Sequence, residues 1–339
     1  MSPELKPLCD QVVVVTGATS GHGLCTAQMA AAAGARVMLA ARDEVALRSV
    51  VDEIRANGGT ADHVVTDVSQ EADVARLAER TIERFGGFDT WVNNAGVGIY
   101  ARILDMPTED HRQLFETNYW GVVYGSIAAT RHLKTRPGGG AVINVGSING
   151  DMSGPVLAAY NASKHAIKGF TDALRIEMIE AKAPVSVTLI KPSAIGTPFP
   201  QHGRNLTGRR ARLPSPLYTP DLVARAILDS AQRPRRSVTV GGAGKFQVLG
   251  ATMLPWLFDR LAVAMADKLV EPDQRVGRVE GNLYAPQGNS GHIEGRQKGR
   301  GFSTFTKVRL HPKMAVGAVM LLGAAGGWAM TRRGKHALA

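Results

Sequence analysis

Four consecutive valines, Val12–Val15, are followed by a glycine-rich segment and then by a helix-forming run. A run of β-branched residues without polar alternation is typical of a strand that is buried on both faces of a parallel sheet. The segment Thr16–Gly23 has the spacing Thr-Gly-x-x-x-Gly-x-Gly, and Leu24–Ala33 continues it with a helical composition. Parallel strands need a crossover connection, so this order predicts the first βαβ unit of an α/β fold.

The three glycines of this segment, Gly17, Gly21 and Gly23, allow the backbone to turn sharply and to approach a pyrophosphate. The phosphate would bind the free N–H groups at the start of the helix. An ordinary glycine-rich turn is the alternative, but the position between a strand and a helix favours dinucleotide binding. Ser20 and His22, which lie between the glycines, belong to the same predicted cofactor site.

Strand and helix patterns alternate as far as residue 240, which predicts a doubly wound parallel sheet with helices on both faces. Strands are predicted at Val12–Thr16, Arg36–Ala40, Asp62–Thr66, Thr90–Asn93, Ala141–Val145, Ser186–Ile190 and Ser237–Val240. Helices are predicted at Gly23–Ala33, Glu44–Ala56, Glu71–Phe85, Asp110–Lys134, Ala159–Ala181 and Pro220–Ser230. Ligands of such sheets bind beyond the carboxyl ends of the strands, where the candidate motifs fall.

Tyr160 and Lys164 are four residues apart, so on a helix their side chains lie on one face. A free phenol has a pKa of about 10 and is a poor base at neutral pH. A nearby ammonium group favours the phenolate and is expected to lower the pKa of Tyr160. The same spacing recurs on many solvated helix faces, so the pair gains its meaning from the other motifs.

Four motifs follow one another in a fixed order: the glycine segment, Asn93-Asn94-Ala95-Gly96, Ser147, and Tyr160 with Lys164. Over residues 10–240 the chain therefore resembles the short-chain dehydrogenase/reductase family. The resemblance implies a single Rossmann-type catalytic domain (residues 1–240), a nicotinamide cofactor, hydride transfer at a carbonyl or alcohol carbon, and a homodimer or homotetramer. The alternative is a catalytically idle dinucleotide-binding sensor or scaffold, which the complete set of catalytic residues disfavours.

The same resemblance implies a role for each catalytic residue. Tyr160 would be the general acid in reduction and the general base in oxidation, and Lys164 would also bind the nicotinamide ribose. Ser147, which could otherwise cap a turn, would donate to the substrate oxygen. Asn118, otherwise a structural amide, would hold a proton-relay water near the lysine.

Further cofactor contacts follow from the resemblance at three places in the chain. They are Asp67 and Val68 at the adenine, Asn94, Ala95 and Gly96 on the adenosine side, and Pro192, Ile195 and Thr197 near the nicotinamide. Ser193 departs from the family's usual glycine in that last loop.

The end of the second strand is expected to decide which nicotinamide cofactor is used. An acidic residue there would bind a ribose 2′-hydroxyl, but this chain has Ala41 followed by Arg42. A guanidinium group suits a phosphate, so NADP(H) is favoured. The alternative is that Arg42 pairs with Asp43 or stacks on adenine, and that NAD(H) is used.

The last hundred residues differ from the rest in charge and pattern. Residues 1–240 carry 26 Lys and Arg against 23 Asp and Glu, whereas residues 241–339 carry 14 against 6. Residues 241–313 are interpreted as a C-terminal extension, in which the apolar stretch Phe246–Val270 precedes a polar, mobile linker over Glu271–Arg300. Since no nucleic-acid motif accompanies the basic residues, a membrane surface is the expected partner.

Residues 314–330, Met314–Met330, form a candidate transmembrane helix. They contain no charged residue and are flanked by Lys313 and by Arg332 and Arg333. As a helix they would be about 26 Å long, near the lower limit for spanning a bilayer. The expected location is a membrane with the catalytic domain in the cytoplasm and a lipophilic small-molecule substrate; the alternative is a soluble cytoplasmic enzyme whose tail folds back.

Two cysteines, Cys9 and Cys25, make up the whole thiol content of the sequence. They supply neither a disulfide framework nor a metal cluster, and they indicate a reducing compartment. No metal is therefore predicted.

Overall fold

The structure, a computed structural model, describes residues 3–288 and 290–310. Its central sheet has seven parallel strands in the spatial order β3-β2-β1-β4-β6-β7-β10. The bounds are β1 Val12–Thr16, β2 Arg36–Ala41, β3 Thr60–Val65, β4 Thr90–Asn93, β5 Ile99–Tyr100, β6 Gly140–Val145, β7 Val185–Pro192, β8 Arg204–Asn205, β9 Arg209–Ala211, β10 Ser237–Val240 and β11 Val270–Arg275. Small separate pairs are formed by β5 with β8 and by β9 with β11.

Helices connect the parallel strands, which need crossover connections. Their bounds are α1 Gly21–Ala32, α2 Glu44–Ala56, α3 Glu71–Phe85, α4 Thr108–Phe115, α5 Gly121–Leu133, α6 Ala158–Glu180, α7 Phe199–His202, α8 Pro220–Gln232, α9 Gly242–Met253, α10 Pro255–Val263 and α11 Thr304–Leu310. The prediction of a doubly wound, Rossmann-type parallel sheet is confirmed.

Both faces of the sheet are buried, as the run of valines predicts. Val13 and Val15 of β1 belong to a core that includes residues of α1, α2 and α8. Val12 and Val14 point to the opposite face and belong to a core with residues of α3, α5 and α6. Alternate residues of a strand face opposite sides, so one short run anchors helices on both.

Strand β1 lies between β2 and β4, so the strand order reverses beside it. Neighbouring crossovers leave in opposite directions at such a point and open a crevice at the carboxyl ends of the strands. The glycine segment follows β1 and the segment Asn94-Ala95-Gly96 follows β4, so the topology brings these two motifs to the same crevice.

The helix predicted over Asp110–Lys134 is interrupted in the structure. Helix α4 ends at Phe115, a π-helical turn covers Glu116–Trp120, and α5 begins at Gly121. A π turn adds one residue to a helical turn without changing the composition around it, and such turns are frequent at functional sites.

The prediction of a mobile linker over Glu271–Arg300 is wrong. Residues 270–275 form β11, which pairs antiparallel with β9. The residues that follow are irregular but bond to the catalytic core; the N–H of Gly291, for example, donates to the carbonyl of Thr19 at 2.8 Å. Polar, glycine-rich composition indicated mobility, but backbone hydrogen bonds to the core hold this segment.

The apolar stretch of the C-terminal extension forms α9 and α10, and its two sides differ. Val248 is buried against Ile148 and Met152 of the core. The opposite side exposes large apolar residues, among them Phe246, Leu249, Met253, Trp256, Leu261 and Val263.

No helix in the described part of the chain combines the length and the apolar character needed to cross a bilayer. The predicted transmembrane segment Met314–Met330 lies outside the described residues.

Candidate active site

The glycine segment after β1 forms a cradle that larger residues would not fit. Gly17 has φ +65°, and a Cβ atom built there would lie 2.8 Å from Cα of Ala95. A Cβ at Gly23 would lie 2.2 Å from the carbonyl oxygen of Gly17, so α1 packs directly on the turn. Gly21 also has positive φ, which favours glycine. This close-packed turn at a helix N-terminus fits the pyrophosphate of a dinucleotide.

A cavity opens from this cradle along the carboxyl ends of β1 to β4. Most of the predicted cofactor residues line it. These are Gly17, Ser20, Gly21, His22, Arg42, Asp67, Val68, Asn94, Ala95, Gly96 and Thr197. Gly23 lies beneath the turn, while Tyr160, Lys164, Pro192 and Ile195 line the adjoining cavity described below.

His22 and Asn94 form a hydrogen-bonded pair inside the cradle. The amide nitrogen of Asn94 donates to the carbonyl oxygens of Thr16 and Gly17, so its oxygen faces His22 as an acceptor. Nδ1 of His22 lies 2.6 Å from that oxygen and must carry the proton. Burial lowers the pKa of His22 to about 4, the bond to Asn94 opposes the shift, and Lys164 adds to it. His22 is therefore neutral at pH 7.

Tyr160 and Lys164 lie on α6 and meet Ser147 at the end of β6. Lys164 is buried, its Nζ donates to the carbonyl of Val145 at 3.0 Å, and the same atom lies 5.5 Å from the centroid of the Tyr160 ring. Phe199 packs on the other side of the phenol, with 5.4 Å between ring centroids. The i,i+4 spacing thus places the phenol and the ammonium group in one pocket, as predicted.

The expectation that Lys164 lowers the pKa of Tyr160 is not met in the structure. Burial raises the pKa of the phenol to about 12, and the hydroxyl of Ser147, as a hydrogen-bond partner, lowers it only in part. Burial also lowers the pKa of Lys164 to about 8. Both shifts arise because a charged group loses its hydration inside the protein. At pH 7 the phenol keeps its proton, which suits a general acid.

Ser147 caps a turn, which is one of the two roles considered for it in the sequence. Its Oγ accepts from the backbone N–H of Asn149 at 3.1 Å and so caps a short 3₁₀ turn. The capping bond fixes the hydroxyl beside Tyr160, where it also lines the adjoining cavity. A hydroxyl can accept this bond and still donate its own proton.

Asn118 lies in the π turn and is fully buried. Its oxygen accepts from the N–H of Val97 at 2.8 Å, and its nitrogen donates to the carbonyl of Val97 at 3.0 Å and to Ser163. A Cβ built on Gly96 would lie 3.4 Å from the Asn118 oxygen and 3.9 Å from Lys164 Nζ. The amide is therefore near the lysine but is held by backbone groups.

Arg42 directly follows β2 at the cavity wall and does not pair with its neighbour Asp43. The carboxylate of Asp43 instead caps α2 through the N–H of Ala46. The guanidinium of Arg42 donates to the backbone carbonyls of Asn282, Leu283 and Tyr284. The second strand is therefore followed by a cation that is bonded to the C-terminal extension.

A second cavity adjoins the first and is lined mainly by apolar side chains. The two cavities share His22, Asn94, Gly96, Thr197 and Phe199, and the second also contains Ser147, Tyr160 and Lys164. Its apolar wall comes from both the core and the C-terminal extension: Ile148, Met152, Leu157, Leu213, Pro214, Pro216, Met265 and Leu269.

The arginines of the segment 199–216 are not among the residues that line this second cavity. Arg204 pairs with Asp110 and Glu280. Arg210 lies 3.4 Å from Glu271, and Arg212 donates to the carbonyl of Lys268. These arginines hold the C-terminal extension and are not part of the lining.

The sequence did not indicate several residues that line the cofactor cavity. They are Thr19, Thr66, Val97, Thr117, Pro198, Phe199, His202, Asn282, Pro286, Gln287 and Ser290. Those before position 120 flank predicted motifs and could have been found from their strand ends. Asn282, Pro286, Gln287 and Ser290 carry no periodic signal, since they lie outside helices and strands.

The chain is similar in sequence to known oxidoreductases. Residues 11–205 match the short chain dehydrogenase family. The chain is 41% identical to "Uncharacterized oxidoreductase YxnA" of Bacillus subtilis, over 97% of this chain and 93% of the relative. It is 32% identical to "Dehydrogenase/reductase SDR family member 7B" of Danio rerio, over 76% of this chain and 86% of the relative.

Two solved structures share the fold. A short-chain dehydrogenase/reductase from Burkholderia phymatum in complex with NAD superimposes with a TM-score of 0.67 at 27% identity, over 75% of this chain and 96% of that one. An alcohol dehydrogenase from Thermococcus sibiricus complexed with 5-hydroxy-NADP gives a TM-score of 0.59 at 25% identity, over 68% and 95%.

Proposed function

The chain belongs to the short-chain dehydrogenase family of oxidoreductases, and we propose that it interconverts a carbonyl and an alcohol on a lipophilic substrate with NADP(H). The observation that carries this proposal is the position of Ser147, Tyr160 and Lys164 where an apolar cavity meets the dinucleotide cavity. A substrate oxygen beside these groups would lie at the junction, with its carbon facing the nicotinamide.

The residues of the chain supply the proton and the polar contacts of this reaction. When bound, the nicotinamide donates or accepts the hydride. In reduction, Tyr160 gives its proton to the substrate oxygen as the C–H bond forms, and the Ser147 hydroxyl stabilises the charge that develops on that oxygen. Lys164 would hold the ribose hydroxyls, and Asn118 would orient a relay water beside the lysine.

Turnover of a substrate panel tests the proposal. We expect aldehydes and ketones with long alkyl or ring systems to be reduced with higher kcat/KM than short polar carbonyls, because the cavity wall is mostly apolar. Each compound is measured with NADPH and NADH, and the matching alcohols with NADP⁺ and NAD⁺. Dinucleotide binding without turnover of any compound would favour the sensor or scaffold alternative.

The preference for NADP(H) rests on the end of β2, where Ala41 occupies the last position of the strand and Arg42 follows it at the cavity wall, while the nearby carboxylate of Asp43 caps α2. Ala41→Asp should repel a 2′-phosphate and accept from a ribose hydroxyl, which lowers NADPH affinity roughly tenfold to a hundredfold relative to NADH. Titration of the fluorescence of both reduced dinucleotides gives the ratio of their Kd values.

Arg42→Ala is the companion variant. A loss of affinity that is equal for NADPH and NADH does not involve the 2′-phosphate. Only the ratio of the two Kd values therefore measures recognition of the phosphate. If the wild type bound NADPH and NADH with equal affinity, and if neither variant changed the ratio of the two Kd values, NADP(H) would not be the preferred cofactor.

Membrane attachment is proposed from the sequence of the tail, Met314–Met330, and from the exposed apolar side of α9 and α10, where Trp256 and Arg260 lie together. Deleting residues 311–339 should abolish attachment that resists a carbonate wash, leave at most salt-sensitive binding through α9 and α10, and leave turnover unchanged. A carbonate wash of the membranes separates integral from peripheral binding. A full-length protein that is entirely in the supernatant would contradict attachment and favour a tail that folds back.

Self-association is a further part of the proposal. Ile176 and Ile179 are exposed on α6, and Trp120 is exposed on the π turn. Exposed apolar residues on neighbouring helices suit a contact between two copies of the chain. Light scattering would distinguish a dimer or tetramer from a monomer.

A further inference from the structure

The part of the C-terminal extension between β11 and α11 crosses the mouth of the dinucleotide cavity. We term residues 276–288 and 290–300 the strap. At its beginning the strap runs beside β8: the N–H of Asn205 donates to the carbonyl of Val279 at 2.8 Å, and the N–H of Val279 donates back at 3.0 Å. Gly281 has φ +62°, and a Cβ there would lie 2.4 Å from the backbone nitrogen of Arg204. The strap therefore starts in direct backbone contact with the core.

The next residues are bonded to two charged groups of the core. Three consecutive carbonyls, those of residues 282–284, accept from the guanidinium of Arg42. The hydroxyl of Tyr284 donates to the buried carboxylate of Asp110 at 2.8 Å. Leu283, between them, is fully buried in a cluster that includes Tyr160. These contacts make residues 282–284 the main anchor of the strap.

Further along, the strap bonds to the glycine cradle itself. The N–H of Gly291 donates to the carbonyl of Thr19 at 2.8 Å, and the N–H of Gly21 donates to the carbonyl of His292 at 2.9 Å. Gly21 is the first residue of α1, whose free N–H groups form the predicted pyrophosphate site. The strap thus takes the N–H of Gly21 and lies beside this helix end, where a phosphate would bind the N–H groups that follow.

The last part of the strap is held by the loops around the nicotinamide end. The N–H of Gly295 donates to the carbonyl of Gly196, and the side chain of Gln297 forms two hydrogen bonds with the backbone of Leu213. The N–H of Arg300 donates to the carbonyl of Leu217 at 2.8 Å. Both ends of the strap are therefore fixed to the core.

Between the anchors lies the part that covers the cavity. Asn282, Pro286, Gln287 and Ser290 form its outer wall. In the described part of the chain, residues 285–288 and 290 form no hydrogen bond with the rest of the protein. A segment that is fixed at both ends and has few hydrogen bonds among its described residues between them can lift locally without unfolding of the sheet.

We infer that the strap is a cofactor-retaining wall of the active site, held over the bound dinucleotide by Arg42 and by the bond between Tyr284 and Asp110. This inference rests on the proposed function, since it assigns the cavity to a nicotinamide dinucleotide. Arg42 is then a positioning residue as well as a candidate phosphate ligand. A dinucleotide leaves when the strap lifts, so the hold on residues 282–284 sets the rate of its release.

Release rates of NADH and NADPH test the inference. Bound reduced dinucleotide is displaced with excess oxidised dinucleotide in a stopped-flow fluorimeter, using wild type, Tyr284→Phe and Arg42→Ala. Tyr284→Phe removes one bond to a carboxylate and no group that could contact a phosphate. We expect it to speed the release of both cofactors by a similar factor, roughly fivefold or more. Arg42→Ala should also speed the release of both.

Two control variants have matched chemistry away from the strap. Tyr124→Phe changes a tyrosine on α5 that lines neither cavity, and Arg48→Ala removes an exposed arginine of α2 that pairs with Glu44. Both should keep the wild-type release rates. Hydrogen exchange of the unliganded proteins adds a readout without cofactor: peptides that cover residues 279–300 should exchange faster in Tyr284→Phe and Arg42→Ala than in the controls.

The outcomes separate the two proposals. Unchanged release of NADH and NADPH in Tyr284→Phe, with unchanged exchange of the strap, would overturn the retaining wall but leave the oxidoreductase function standing. Faster release of NADPH alone in Arg42→Ala would assign that arginine to the phosphate and not to the strap. A wild-type protein that binds neither dinucleotide would overturn the proposed function itself, even with faster strap exchange in both variants.

Discussion

Replacing Tyr160 with phenylalanine is expected to lower turnover by about 10²–10⁴-fold, the usual contribution of a positioned proton donor, while dinucleotide binding changes little. The phenol keeps its proton at pH 7 because burial raises its pKa to about 12. In the proposed reaction it supplies the proton for reduction, whereas the cofactor would be held mainly by the glycine cradle and the strap. Steady-state kinetics gives the loss in kcat, and fluorescence titration gives the Kd of the reduced dinucleotide.

Tyr100→Phe is the matched control for this variant. Tyr100 is fully buried and belongs to the same cluster as Tyr160, and its hydroxyl has no hydrogen-bond partner among the described residues. Removing that hydroxyl should leave turnover unchanged and stabilise the fold slightly. If Tyr160→Phe kept most of the activity on a substrate that the wild type reduces, Tyr160 would not be the acid.

The sheet could be predicted because the amino-acid sequence of each strand is typical of a buried strand. Val12–Thr16, Thr90–Asn93 and Ser237–Val240 have the predicted bounds in the structure. Each is a short run of mostly apolar or β-branched residues between turn residues, and burial on both faces demands such a run. The motifs at their carboxyl ends then lie together because the topology leaves no other arrangement.

The strap and the π turn were not predictable for two different physical reasons. The π turn at Glu116–Trp120 adds one residue to a helix whose sequence is helical on both sides. The strap is held by backbone carbonyls and N–H groups, such as the three carbonyls that bind Arg42, and these groups are the same in every residue. The amino-acid composition of such a segment therefore does not predict where it binds.

The direction of the pKa shift of Tyr160 was predicted wrongly, because the distance to a charged group and the burial of the phenol are two separate contributions to the pKa. The spacing of Tyr160 and Lys164 gives their proximity correctly. Burial depends on the tertiary structure, and the loss of hydration that it causes raises the pKa of the phenol. This exceeds any lowering by Lys164, whose Nζ donates to the carbonyl of Val145.

Lys164→Met should abolish useful turnover and at the same time stabilise the unliganded protein. The variant loses the proposed ribose contact and the ammonium group, so both Kd for the dinucleotide and kcat should worsen, and the loss of affinity should exceed that in Tyr160→Phe. The stabilisation follows from burial, which lowers the pKa of Lys164 to about 8 from an ordinary value of 10.5. A folded state that disfavours the charged form is destabilised wherever the unfolded chain keeps it charged.

The sign of the pH dependence follows from these two values. Between pH 8 and 10.5 the unfolded chain binds more protons than the folded one, so the wild type gains stability as the pH rises through this range. Over this pH range the free energy of unfolding rises by about 3 kcal/mol because of Lys164, and below pH 8 the protein is less stable by the same amount. Methionine carries no charge and has a similar length, so the variant should be more stable at pH 7 by about 1–3 kcal/mol after the loss of the bond to Val145.

Urea unfolding of the unliganded protein at pH 7 and pH 10 measures both effects. The matched control is Lys168→Met, one turn further along α6, where the lysine is 41% exposed and pairs with Asp151. That variant should show no stabilisation at pH 7 and should keep the pH dependence of the wild type. A Lys164→Met protein that is less stable than wild type at pH 7 would mean that the hydrogen bond to Val145 outweighs the cost of burying the ammonium group. Lys164 would then mainly stabilise the fold. Its burial would no longer be evidence that the site is less stable because it is built to bind a cofactor.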